Sequence, residues 1–199
     1  MAAKIKSKAK SKQALDSFEE LWKNPIKKPH LEKIVLNIGV GNSGDELENA
    51  SKVLEQITGR KAVKTLSRVN VKEFNLRKGK PIGTKVTIRG KEAEKLLKRL
   101  LIVYNNKILR KGFDAYGNFS FGIIEHINIP GTEYDSNIGI WGLNVCGRIV
   151  RAGMRVKCRK QPKRAKIPKR HYVSRVETQQ FLKQEFGIEI VDKLELDYT

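Results

Sequence analysis

Apolar and polar residues alternate along residues 33–39: Ile34, Leu36 and Ile38 fall on one side, Lys33, Val35 and Asn37 on the other. That is the period of a strand with one buried face. Gly39, Gly41 and Gly44 predict a tight turn after it. Ser43 and Glu46 stand at capping-box spacing, so a helix is expected to start there. Leu47, Ala50, Leu54 and Ile57 recur at helical spacing, and Gly59 stops the helix. A second strand is expected from about Ala62 to Val69, then a hairpin connection over 70–80 with the basic tip Arg77-Lys78-Gly79-Lys80. Ile82, Thr84, Val86 and Ile88 alternate with Gly83, Lys85, Thr87 and Arg89, a half-buried strand. Glu92 to Tyr104 reads as an amphipathic helix carrying Ala93, Leu96, Leu97, Leu100, Leu101 and Tyr104 on one side.

Gly117-Asn118 predicts a turn flanked by strands, and Leu143, Val145 and Gly147 alternate against Asn144, Cys146 and Arg148 within a strand expected over 139–150. Ser174 and Glu177 repeat the capping-box spacing before a helix with Phe181, Leu182 and Phe186, stopped at Gly187. Near the start, Asp16 to Lys23 predicts a short helix with Phe18, Leu21 and Trp22 inward, ended by Asn24-Pro25. One βαβ-like opening followed by grouped strands with few helices between them predicts an α+β fold: a largely antiparallel sheet with helices packed on one face.

Charge divides the chain further. The 199 residues carry a net charge of +20. Lys4, Lys6, Lys8, Lys10 and Lys12 have no acid among them, and 148–170 holds eleven basic residues and again no acid. The remainder is nearly balanced, 25 basic against 21 acidic residues. The expected organisation is a basic disordered tail over 1–14 and a single α+β domain over 15–199 with a basic extension at about 151–170. Two attachments of one sign on a near-neutral body point to a polyanion. The N-terminus lacks a signal peptide's apolar segment, which points to the cytosol, and no run approaches a membrane span.

Candidate chemistry is sparse. The glycines spell G-x-G-x-x-G between a strand and a helix, a spacing that suits a dinucleotide, yet Asp45, Glu46 and Glu48 occupy the first helical turn where a pyrophosphate would sit. Cys146, Cys158 and His171 lie at unpaired gaps, a poor match to a zinc site, so no metal and no cofactor are expected. His30, His126 and His171 are scattered, and the adjacent Glu125 and His126 would point to opposite faces of a strand. No catalytic set, small-molecule substrate or enzymatic activity is expected. The acids fall mostly on helix surfaces, where a solvated face is the default. What remains is a sheet face. If the strands at 33–39 and 81–89 are neighbours, Lys33, Asn37, Lys85, Thr87 and Arg89 form one platform, with cations for phosphates and Asn and Thr for sugars and base edges. It lacks exposed aromatics for base stacking, which suits recognition of folded RNA by shape and backbone. The alternatives are an ordinary solvated face, a basic nucleic-acid chaperone or DNA-binding protein, or a dinucleotide-binding oxidoreductase built on the glycine motif.

At these residues the chain resembles the universal large-subunit ribosomal protein family that binds 5S ribosomal RNA, in its archaeal and eukaryotic form. The matching segments are KIVLNIGVGNSG (33–44), ASKVLEQITGRKAV (50–63), PIGTKVTIRG (81–90), GNFSFGIIEHI (117–127) and YDSNIGIWGL (134–143). The resemblance implies an antiparallel sheet on helices, a structural role without catalysis, docking on 5S rRNA at the central protuberance, and contacts to large-subunit rRNA, P-site tRNA, other ribosomal proteins and the small-subunit head. It implies 5S rRNA contacts at Lys33, Asn37, Thr58, Arg60, Thr65, Thr87 and Arg89; Arg60 stands where the bacterial branch tends to have Gln. Two loops resemble the extensions that meet tRNA and large-subunit rRNA: Arg77, Lys78 and Lys80, and the tract with Arg155, Lys157, Arg159, Lys160, Lys163 and Arg164. The lysine-rich start has no matched counterpart in the family.

Overall fold

A computed structural model describes residues 18, 20–41, 44–74 and 76–192. The expected tail over 1–14 and the last seven residues lie outside them.

The main sheet has five strands in the order β2-β3-β1-β6-β5, every neighbouring pair antiparallel. These are β1 (His30–Gly39), β2 (Val63–Leu66), β3 (Pro81–Arg89), β5 (Asn118–Ile123) and β6 (Leu143–Val150). A second, two-stranded sheet pairs β4 (Lys107–Leu109) in parallel with β7 (Glu189–Val191). Three helices are described along their full length: α1 (Asp45–Thr58), α2 (Lys91–Ile102) and α3 (Arg175–Phe186).

The alternation read along the chain is the alternation of the sheet. Ile34, Leu36 and Ile38 are buried, as are Val86 and Ile88 from β3 and Leu143, Val145 and Ile149 from β6. The apolar stripe of α1 (Leu47, Ala50, Val53, Leu54, Ile57) and that of α2 (Ala93, Leu96, Leu97, Leu100, Leu101) join them in one core. Both helices therefore cover one face and leave the other open. Phe181 and Leu182 of α3 enter the same core. The βαβ-like opening is not a parallel pair: β3 lies between β1 and β2, so the strands joined through α1 are not neighbours.

Several local expectations shift. Helix α1 starts one residue later than the Ser43 spacing implied: Gly44 is its N-cap, with φ of 136° and no side-chain cap, and Ser43 is outside the described residues. The second strand is short because the hairpin takes over after Leu66, through Ser67 N–H to Lys80 O and the Val71–Leu76 bridge. Residues 20–22 are helical and Trp22 packs edge-on against Phe181, but Leu21 is exposed rather than inward. Helix α3 keeps its predicted start, with Ser174 Oγ accepting from Glu177 N–H at 3.3 Å, and Gly187 closes it in the left-handed region.

His126 is not on a strand. It lies in a 3-10 turn over His126–Asn128, buried, with Nδ1 accepting from Trp141 N–H at 3.1 Å. Burial holds the ring below its ordinary pKa. It is a structural histidine, joining the 126–128 turn to the approach of β6.

Candidate nucleic-acid interface

The open face is built by register. Lys33 of β1 lies opposite Arg89 of β3, Val35 opposite Thr87, and Asn37 opposite Lys85. On the other side of β1, Lys33 faces Arg148 of β6, Val35 faces Cys146, and Asn37 faces Asn144. The rows continue outward to Val63 beside Lys85 and Thr65 beside Gly83, and to Asn118, Ser120 and Gly122 of β5. Cross-strand partners share a face. The platform of Lys33, Asn37, Lys85, Thr87 and Arg89 therefore exists as expected. Thr65 joins it from the edge strand, and its hydroxyl reaches over Gly83, where a Cβ would stand 3.0 Å from it.

Thr58 and Arg60 do not join that face. Thr58 ends α1 and Arg60 follows it, in the helix layer. Thr58 Oγ1 donates to Leu54 O at 2.6 Å and finishes the helix, while Arg60 pairs with Glu92 in the first turn of α2. Both are near the β2 edge by connection only.

Sequence reasoning left three contributors off its list of binding positions. Asn144 and Arg148 of β6 and Ser120 of β5 stand on the open face because β6 is the second neighbour of β1. The alternation in β6 carried the signal, but the pairing is 107 or more residues away along the chain and local pattern does not reveal it. Glu32 was also missed. A register shift between Leu31 and Lys33 turns it toward the open side, where it sits between Arg89 and Arg148. Such a bulge places two consecutive residues on one side of a strand.

The strand residues of this face thus carry four cations, Lys33, Lys85, Arg89 and Arg148, against one carboxylate. None of them is aromatic. Among the described residues Lys33 and Lys85 have no ion-pair partner. Just outside the strands, Asp114 is shaped by opposing effects. Burial would raise its pKa, but bonds from the Asn118 side chain and the Asn118 and Tyr116 N–H groups, with Arg148 nearby, hold it below the ordinary value.

The two basic appendages leave this sheet at opposite ends. The β2–β3 hairpin leaves beside Gly39 of β1, and the tract after β6 leaves beside His30. The hairpin is braced by Gly79 N–H to Ser67 O and by Lys78 N–H to Asn70 Oδ1 at 2.6 Å, leaving Arg77 and Lys78 exposed and Lys80 half-buried. In the tract, Arg155, Lys157, Arg159, Lys160, Lys163 and Arg164 are all exposed. Its base is clamped to the body. Arg151 Nη2 donates to both oxygens of buried Glu177 at 2.7 and 2.6 Å, its Nη1 reaches Arg170 O, and Trp22 Nε1 donates to the same carboxylate at 3.3 Å.

Among its described residues the glycine loop offers no phosphate cradle. Val40 and Gly41 N–H both donate to Ile82 O, and the first turn of α1 is acidic. Among the described residues no three His, Cys, Asp or Glu side chains gather as metal ligands would, and no helix is long and apolar enough to cross a membrane.

This arrangement defines a class: an α+β protein that presents a polar, cationic sheet face. Comparison makes it particular. Two family models match in chain order, ribosomal protein L5 over residues 24–77 and the C-terminus of the same ribosomal family over 81–189. The chain is 49% identical over 170 residues to the large ribosomal subunit protein uL5 of Sulfurisphaera tokodaii, covering 85% of this chain and 96% of that one. It is 45% identical over 179 residues to that of Methanococcus maripaludis strain C5, covering 88% and 98%, and a Methanococcus vannielii uL5 is 44% identical over the same length. The chain belongs to the ribosomal protein L5 family. It is a structural protein of the large ribosomal subunit, not an enzyme, and assembles with rRNA and other ribosomal proteins.

Proposed function

We propose that this chain docks on 5S rRNA at the central protuberance through the open face of its sheet. Lys33 and Arg89 meet phosphates, and Asn37, Thr65 and Thr87 meet sugars and base edges. Thr58 and Arg60 contact the same RNA from beside the β2 edge. The 70–80 hairpin and the 155–170 tract reach P-site tRNA and large-subunit rRNA, and the placement brings the protein against the small-subunit head. In this reading 15–199 acts as one RNA-binding domain, with 151–170 as its extension and 1–14 as an added tail.

The observation that carries the reading is the register of β1 against β3. It lines up Lys33 with Arg89 and Asn37 with Lys85 on a face that neither helix α1 nor α2 covers. A face that bound nothing would have no need to collect four cations on three adjacent strands while the remainder of the body stays near charge balance. Steric accessibility and the absence of stacking aromatics fit an RNA read by its folded backbone.

Removing Asn37 and Arg89 together, as Asn37→Ala with Arg89→Ala, is expected to weaken 5S rRNA binding more than deleting residues 1–12 does. Filter-binding titration at fixed salt measures both. The loss expected is on the order of 30-fold, from one phosphate contact and one neutral hydrogen bond. Equal affinity of the double variant and the wild type would remove the open face as the binding surface.

A further inference from the structure

Glu32 runs against everything else on the open face. Its side chain is 25% exposed, as is that of Arg148. Arg148 Nε lies 3.2 Å from Glu32 Oε2, and Arg89 Nη1 lies 3.6 Å from Oε1. Each carboxylate oxygen thus faces an arginine from a different neighbouring strand, one from β6 and one from β3. Oε2 is sealed from solvent and accepts no aligned hydrogen bond from the protein. A face built only to collect phosphate would not hold an acid here. The carboxylate repels phosphate, and it occupies two guanidiniums that phosphate would otherwise use. It is also an acceptor with lone pairs to spare.

We propose that Glu32 is a specificity-determining residue of this face. It rejects a plain phosphate backbone and admits RNA that brings the amino or imino group of an unpaired base to position 32 while its phosphates meet Lys33 and Lys85. The inference rests on the reading of the open face as the RNA-binding surface. A regular A-form duplex keeps its imino groups and Watson–Crick edges inside base pairs, so it offers the face phosphates and 2′-hydroxyls but no free Watson–Crick edge to the acid. It must either leave Glu32 between the arginines, and forgo them, or displace it and leave the carboxylate beside phosphate. A folded RNA with an unstacked base satisfies the acceptor instead, since such bases are read on their hydrogen-bonding edges. Discrimination then comes from a repulsive element as well as an attractive one.

The test is Glu32→Gln, which keeps the shape and removes the charge. The full chain is titrated against 5S rRNA and against an RNA duplex of equal length, over a salt series. Duplex affinity is expected to rise about fivefold, the upper range for one part-exposed charge. The duplex salt slope should steepen by about 0.9 for each of the two arginines that takes up a phosphate. Affinity for 5S rRNA holds or falls, so the preference for 5S rRNA drops at least about fivefold. In the Arg89→Ala, Arg148→Ala background, Glu32→Gln should change duplex affinity less than about twofold, because the acid acts through those arginines. Thermal unfolding of each variant is followed alongside, and Glu32→Ala supplies the same comparison should the glutamine variant fold poorly. A preference for 5S rRNA in Glu32→Gln equal to that of the wild type overturns the proposal alone. A wild type with no preference for 5S rRNA over duplex removes the reading on which it rests.

Discussion

Arg151→Met is expected to cost about 3–5 kcal/mol of stability, the size seen when one partner of a buried ion pair is removed. Glu177 is the reason. Its side chain is 2% exposed and its two oxygens are held by one Arg151 nitrogen, with the Trp22 indole N–H besides. Methionine fills much of the arginine's space and leaves the carboxylate buried without a counter-charge. The loss corresponds to a midpoint lowered by roughly 10 °C for a chain of this size. Adding Glu177→Leu should return most of it, because an apolar pair of similar volume no longer needs desolvated charge. Thermal and urea unfolding of the three variants measure this. A loss under about 1 kcal/mol for Arg151→Met would mean the pair behaves as a surface contact. The same pair ties the N-terminal segment, through Trp22, to both ends of the basic tract, through Arg151 and Arg170 O.

Gly147→Ala is expected to cost about 2–3 kcal/mol, at the upper end of overpacking penalties. The Phe119 ring lies flat over this glycine. A Cβ there would stand 2.1 Å from Phe119 Cζ and 2.3 Å from Cε1, and Phe119 is itself 1% exposed with no room to withdraw. Phe119 pairs directly with Gly147 across β5 and β6, so the ring fills the space that a second side chain would take. Gly122→Ala is the control, since its Cβ would meet the Asn144 side-chain oxygen at 3.3 Å and Leu143 O at an ordinary 4.0 Å, and should cost less than about 1 kcal/mol. Equal losses at the two glycines would show that strand propensity, not the Phe119 contact, sets the effect.

Much of this architecture is legible in local pattern. The alternations at Ile34–Ile38, Val86–Ile88 and Leu143–Gly147 each identify a strand and its buried side, and they also identify the polar side that becomes the open face. Ser174 and Gly187 mark both ends of α3. The rest depends on contacts between distant residues. Glu32 has the parity of buried Ile34, and only the bulge opposite Arg148, set by the pairing with distant β6, turns it to the open face. Glu177 reads as a solvated capping acid, yet it is buried because Arg151, 26 residues earlier, lies against it. Family resemblance alone singles out Thr58 and Arg60, and the packing of α1 beneath the sheet keeps them off the face that holds Lys33 and Asn37. Period and capping describe an element; which elements become neighbours is set by the core.

The central claim is that the sheet reads one RNA shape, beyond the pull of the basic appendages. Titration of the full chain against 5S rRNA across a salt series, with a duplex of equal length as competitor, tests it most directly. The account predicts tight binding that survives the competitor, with log affinity falling linearly with log salt as phosphate contacts release counterions. Binding that collapses equally for both RNAs would contradict it, leaving only the lysines and arginines of the tail and tract engaged.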